Sequence, residues 1–160
     1  MVFIVIFTSK GENMFSKATE YALRATIYIA QKSTPEKKLG IAEIAKAIDS
    51  PQSFTAKILQ QLTRDNALVS SVRGPNGGFY MTDDAKKMPV RLILDLMGED
   101  HRFETCVLGL KKCSEVKPCP MHAEYKPIKQ QLIHLFTSRT IESLAGELTS
   151  ESAYISLGKR

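Results

Sequence analysis

From Phe15 onward the apolar positions fall at helical spacing. Phe15, Ala18, Tyr21, Ala22, Ala25, Tyr28 and Ile29 form one stripe, which predicts a helix that faces a core along that side. Ser16 stands where a capping hydroxyl is wanted. The helix runs to about Gln31, and the polar segment Ser33–Lys38, with its proline, stops it. Ile41, Ala42, Ala45 and Ile48 then mark one face of a short helix. Asp49-Ser50-Pro51 turns the chain: Asp49 or Ser50 can cap, and Pro51 near the first helical position loses nothing by lacking an N–H. A second helix follows, with Phe54, Ile58, Leu59 and Leu62 inward. Two short amphipathic helices across a tight turn make a helix-turn-helix candidate, although such pairs occur in many α-rich domains.

The period then changes. Leu68–Val72 is β-branched and half apolar, Arg73–Gly78 (RGPNGG) is a turn, and Phe79–Thr82 returns as a second strand. Helix, turn, helix and hairpin is the order of a winged helix. The glycines at the tip allow the backbone to approach a partner closely. The tip is not a nucleotide-cradling loop, because it lacks those spacings and precedes a strand rather than a helix. Val90, Ile93, Leu94 and Met97 predict another short helix, ended by Gly98. A longer helix starts near Pro127, with Ile128, Gln131, Leu132, Leu135 and Phe136 along one side. It lies outside the winged unit and suits dimerisation, the other possibility being that it packs on the first helix. Thr140–Leu148 forms a last short helix.

The expected architecture is therefore mainly α: a winged helix-turn-helix with a small β-hairpin wing and a C-terminal dimerisation helix. Its expected parts are an N-terminal extension without function (1–13), the winged unit (14–98), a cysteine loop (99–122), dimerisation helices (123–148) and a tail (149–160). The opening MVFIVIF is apolar but lacks a basic n-region and a cleavage site, and is too short to span a bilayer. Met14 reads as the functional start; a short strand or a membrane-seeking stub is the alternative.

At 160 residues, 43% hydrophobic and 24% charged, the chain is one domain able to bury a core. A net charge of +5 suggests an anionic partner. Between Glu36 and Arg91 nine Lys/Arg face six acids, a modest excess that suits a duplex backbone. Base reading would fall to Gln52, Ser53, Thr55, Lys57 and Gln60 on the second helix, Gln favouring adenine and Lys guanine. Arg73 at the wing tip is placed for a narrow minor groove. A solvated polar face is the competing explanation for all six.

All three cysteines, Cys106, Cys113 and Cys119, lie in one polar loop, with gaps of six and five residues between them and two residues between the last and His122. With no secretory signal the chain is expected in the cytoplasm, where thiols bind metal or do redox chemistry more often than they form staples. The gaps are wider than the close pairs of structural zinc sites and of ferredoxins. Three thiolates around one soft centre is the reading they allow. Lys111, Lys112 and Lys117 would lower the thiol pKa values, Pro118 and Pro120 stiffen the loop, and His122 is a local fourth ligand. No nucleophile with a base is visible, so an enzyme is not expected.

The segment SKATEYALRA, the wing LVSSVRGPNGGF, the cysteine loop and TIESLAGEL resemble the Rrf2 family of winged-helix regulators from Met14 to about Leu148. The resemblance implies a homodimer that binds a palindromic operator in double-stranded DNA, gated by an iron–sulfur cluster, 2Fe-2S rather than 4Fe-4S, and acting as a repressor that senses nitric oxide or iron–sulfur and redox status. It implies Cys106, Cys113 and Cys119 as ligands. The acid of helix 1, here Glu20, is the fourth ligand in the NsrR branch, supplied by the partner subunit. The ending CPMH is similar to the IscR branch and makes His122 the alternative. The first gap is longer than in either branch, and Asp-Asn-Ala-Leu replaces the usual glycine before the wing. A zinc- or thiol-based redox switch on the same scaffold, or a metal or electron carrier that does not bind DNA, are the other functions considered. No membrane partner is expected.

Overall fold

The computed structural model describes residues 14–111 and 113–148. The expected extension (1–13), the expected tail (149–160) and Lys112 lie outside them. The first helix, α1 (Lys17–Lys32), starts where the sequence puts it: the Ser16 Oγ accepts the Thr19 N–H at 3.3 Å, which satisfies one of the free donors of the first turn. It ends at Ser33, whose N–H and hydroxyl both donate to the Ile29 carbonyl. The same Ser33 oxygen accepts the Met81 N–H from the far side of the wing, so a buried hydroxyl joins two distant segments.

Helices α2 (Ile41–Ala47) and α3 (Gln52–Leu62) form the expected pair. The buried face of α2 is Ile44, Ala45 and Ile48, with Ile41 half-buried; Ala42 is exposed. Ala42 lies about 110° around the helix from the middle of that face, and the larger Ile44 takes the core position. Neither Asp49 nor Ser50 caps α3. Pro51 is its N-cap, with no side-chain bond to the first turn.

The wing is β1 (Ser70–Val72) paired antiparallel with β2 (Gly78–Tyr80), in the register Ser70 with Tyr80, Ser71 with Phe79 and Val72 with Gly78. Leu39 adds a bridge to Phe79, exchanging both backbone hydrogen bonds at 2.9 Å. Short helices α4 (Asp83–Lys86) and α5 (Arg91–Leu96) follow. The Gly98 φ of +73° ends the latter segment, as a glycine can do without strain. A 3-10 turn (Asp100–Phe103) leads into the cysteine loop.

Helix α6 (His122–Ser138) begins five residues before the expected start and carries Pro127 within it. Pro127 is the sixth residue of the helix, past the four free donors of its start, so it removes the bond an N–H there would have donated to the Ala123 carbonyl. Helix α7 (Ile141–Glu147), capped by Thr140, packs on α1.

One core joins Ala22, Ala25, Ile29, Leu39, Ile44, Ile48, Ile58, Leu59, Leu62, Leu68, Val69, Met81, Ile93 and Ile141. A smaller one joins Phe15, Leu94 and Phe103, with Leu132, Ile133 and Phe136 of α6 against it. Helix α6 has no fully buried residue, and its Ile128 and Leu135 are 59% and 51% exposed. Among the described residues no helix is long and apolar enough to cross a membrane.

Candidate nucleic-acid interface and cysteine loop

Helix α3 divides along its length. Ile58, Leu59 and Leu62 are held in the core, so Gln52, Ser53, Lys57 and Gln60 emerge on the other side, exposed. Thr55 does not join them. It is fully buried, and its hydroxyl donates to the Pro51 carbonyl at 3.1 Å. It therefore cannot reach a base edge, and the expectation that it reads sequence is corrected. Its place is three residues before Ile58 and four before Leu59, on the core side of the helix.

The face that remains has two chemistries. Its amides and lysine can pair with base edges. The first turn, lacking a side-chain cap, presents backbone N–H groups toward an anion such as a phosphate. Helix α1 buttresses this element. Tyr21 meets Phe54 edge to face at 5.7 Å, and Arg24, stacked 4.4 Å over the Tyr21 ring, donates to the Ile48 carbonyl at 3.1 Å.

Between α3 and the wing lies an open cleft of about 440 Å³, lined by Gln60, Thr63, Ser71, Arg73 and wing glycines among others. The candidates Gln60 and Arg73 thus share one concavity, although thirteen positions separate them in sequence. Thr63 and Ser71 add hydroxyls that the sequence reading passed over; only the paired geometry of helix end and strand brings them there. The wing glycines serve the protein itself. A Cβ on Gly77 would stand 2.2 Å from the Val72 carbonyl oxygen, and one on Gly78 would stand 2.7 Å from that of Leu39.

In the cysteine loop the thiols are free. Cys106 is buried, whereas Cys113 and Cys119 are half-buried. The residues after Cys106 fold back: the Gly109 N–H donates to the Cys106 carbonyl at 2.9 Å, and Gly109 takes a φ of +73°, a left-handed position that favours glycine. This turn aims backbone N–H groups at the sulfur. The Cys106 thiol is held below its ordinary value chiefly by the Leu108 N–H, against the opposing effect of burial, with the Leu110 N–H, the Cys119 side chain and the Lys129 charge adding to it. Donors to sulfur favour the thiolate, the form that binds metal.

Cys113 lies 3.4 Å from the Nδ1 of His122. His122 opens α6, and its N–H donates to the Cys119 carbonyl at 2.9 Å. The loop is clasped to α6 by an ion pair between Glu115 and Lys126, which also lowers the Glu115 pKa.

Cys113 is therefore paired with His122, and the Cys119 side chain acts on the Cys106 thiol. Among the described residues no group of three or more His, Cys, Asp or Glu stands close enough to hold a metal ion. The donor set fits a soft metal or cluster in kind: three thiols, one of them with a lowered pKa, and an imidazole. Glu20 sits elsewhere, in the first turn of α1, with its carboxylate 2.7 Å from the Lys17 ammonium. Lys129 was missed by sequence reading. Its signal was its position seven residues after His122, two helical turns along the same face. Beside Cys113 an open cleft of about 560 Å³ is lined by His101, Glu104, Thr105, Lys111 and Lys129.

The family model described as Rrf2, iron-dependent transcriptional regulator, matches residues 15–147. A protein of Aquifex aeolicus named for an HTH-type transcriptional regulator is 34% identical over 133 residues, covering 82% of this chain and 90% of its own. The HTH-type transcriptional regulator IscR of Photorhabdus laumondii is 28% identical, covering 86% and 77%. Among solved structures, CymR, the global cysteine regulator of B. subtilis, superposes with a TM-score of 0.65 at 20% identity, over 82% of this chain and 95% of that one. IscR of T. potens does so with 0.62 at 18%, over 84% and 87%. These similarities establish the winged-helix fold, and the related chains are named as regulators, not enzymes.

Proposed function

The chain belongs to the Rrf2 family of transcriptional regulators, and on that premise we propose that it is a cytoplasmic, homodimeric repressor whose affinity for a palindromic operator is set by an iron–sulfur cluster in the cysteine loop. The reading head is the exposed side of α3, with Gln52, Ser53, Lys57 and Gln60, and the wing with Arg73. Phosphate contacts fix its position and base contacts give it preference. The exposed Ile128 and Leu135 of α6 are the apolar face for a second copy, since a two-fold site needs two heads spaced by about 34 Å.

The observation that carries the cluster reading is the contact between Cys113 and His122 at the root of α6, in a loop whose Cys106 thiol is held below its ordinary value by backbone N–H groups. Cys106, Cys113 and Cys119 would hold a 2Fe-2S cluster, and the bound group would supply one-electron chemistry and a target for nitric oxide. Of the two fourth-ligand candidates, His122 has a contact in its own chain that supports it. Glu20 would have to come from the partner subunit. The residues' own work is to hold the thiolates with backbone N–H groups and to fix the imidazole at a helix start.

Anaerobic purification tests this reading. A brown protein with iron and sulfide in equal amounts, and operator binding that changes when the cluster is removed, is expected. A colourless protein with zinc, or one whose binding responds only to thiol oxidation, would replace the cluster by a thiol switch. The proximity of Cys106 and Cys119 is the observation that favours that second reading.

A further inference from the structure

The cysteine loop grows from a segment that is fastened to the start of α1. Glu99 is 9% exposed, and its two carboxylate oxygens share the Ser16 N–H at 3.2 Å each. Burial pushes its pKa up, yet the Ser16 hydrogen bonds, with Arg102 and Thr19 adding, hold it below the ordinary value. A buried carboxylate kept ionised on a helix N-terminus is a firm anchor. Four residues on, Phe103 is 3% exposed and meets Phe15 at 6.3 Å and Phe136 at 5.3 Å. Phe15 and Phe136 touch as well, at 5.5 Å. The start of α1, the root of the loop and α6 therefore meet at one point, three residues before Cys106.

From that point α1 is a rigid rod toward the reading head. It meets α3 through Tyr21 with Phe54, and the turn before α3 through Arg24 with the Ile48 carbonyl. Phe54 adjoins Ser53 of the exposed face.

We propose that Glu99 is a positioning residue: through Ser16 it transmits the state of the cysteine loop to α1, and thereby to α3. This rests on the cluster reading above. A loop that closes around a bound group pulls its root, and the root can move α1 only if the anchor holds. The side-chain partners of Glu99 are Ser16, Thr19 and Arg102, outside both the proposed reading head and the cysteines, so its role is coupling, defined by how strongly occupancy of one site changes affinity at the other.

The test uses Glu99→Gln, which keeps the shape and removes the charge and one acceptor. Operator affinity is measured for cluster-loaded and cluster-free protein, together with visible absorbance and thermal unfolding. The wild type should show an affinity ratio of about fivefold or more. Glu99→Gln should keep its absorbance while the ratio falls toward one. An unchanged ratio in a loaded, folded Glu99→Gln overturns the inference and leaves the cluster reading intact. A wild-type ratio of one removes the cluster reading and this inference with it. Should Glu99→Gln not fold, Phe103→Leu, which loosens the same junction from the aromatic side, must lower the ratio with absorbance retained; a wild-type ratio there is equally fatal.

Discussion

Gly77 lies against the carbonyl of Val72 across the wing: a Cβ built on it would stand 2.2 Å from that oxygen and 2.9 Å from the Arg73 carbonyl carbon. Both are backbone atoms and cannot move aside without opening the turn. Gly77→Ala should cost about 2–3 kcal/mol and should weaken operator binding by displacing Arg73. Denaturant unfolding and a gel-shift titration of the same preparation check both parts.

The division of α3 separates two kinds of variant. Gln52→Ala should relax base preference at one operator position, at a cost of roughly 1–3 kcal/mol there. Arg73→Ala should weaken binding on all sequences and reduce the salt slope by about one. Thr55→Val should leave base preference unchanged and cost about 1 kcal/mol of stability, from the lost hydrogen bond to Pro51. Binding to an operator library at several salt concentrations distinguishes them; a change of preference in Thr55→Val would contradict its burial.

Cys106→Ala, Cys113→Ala and Cys119→Ala should each abolish or weaken the visible absorbance of anaerobically prepared protein while far-ultraviolet circular dichroism stays native. His122→Ala should shift the spectrum and Glu20→Ala should leave it unchanged. The reverse pattern would assign the fourth position to Glu20 of the partner subunit, and the cluster would then bridge two chains.

Glu99 gives a pH signature. Its folded pKa lies below the ordinary 4.5, so within that window the unfolded chain binds the more protons, and stability falls as pH falls. The contribution is complete above the unfolded value and is lost as pH drops through the folded one. Denaturant midpoints between about pH 3 and 6 should fall less steeply for Glu99→Gln than for the wild type. Glu36 and Glu115 are also lowered, and they remain as a common background in both proteins.

On α6, Ile128→Glu and Leu135→Glu together should give a monomer in sedimentation and weaken operator binding by roughly 100-fold through lost bivalency. Neither residue is buried, so the monomer should keep its thermal stability within about 0.5 kcal/mol. A dimer that survives both changes would place the interface elsewhere.

Local rules were enough for the elements themselves. The stripe from Phe15 to Ile29, the Ser16 cap, the helix pair and the hairpin around RGPNGG are all written in contacts between near neighbours, and helical and strand periods report those directly. The gathering of three thiols in one loop was equally plain, because it is a fact of the chain before it folds. Tertiary packing decided the rest. It chose Ile44 over Ala42 for the core, since burial depends on what faces a helix and on side-chain volume. It turned Thr55 inward, where a hydroxyl can satisfy itself on the Pro51 carbonyl. It began α6 at His122, bringing that imidazole to Cys113, although a proline five residues later suggested a later start. Above all it set Glu99 on the N–H of Ser16, across a separation of 83 residues. No pattern along the chain encodes that bond: a glutamate between Gly98 and Asp100 resembles any surface acid until the fold removes it from water and hands it a donor.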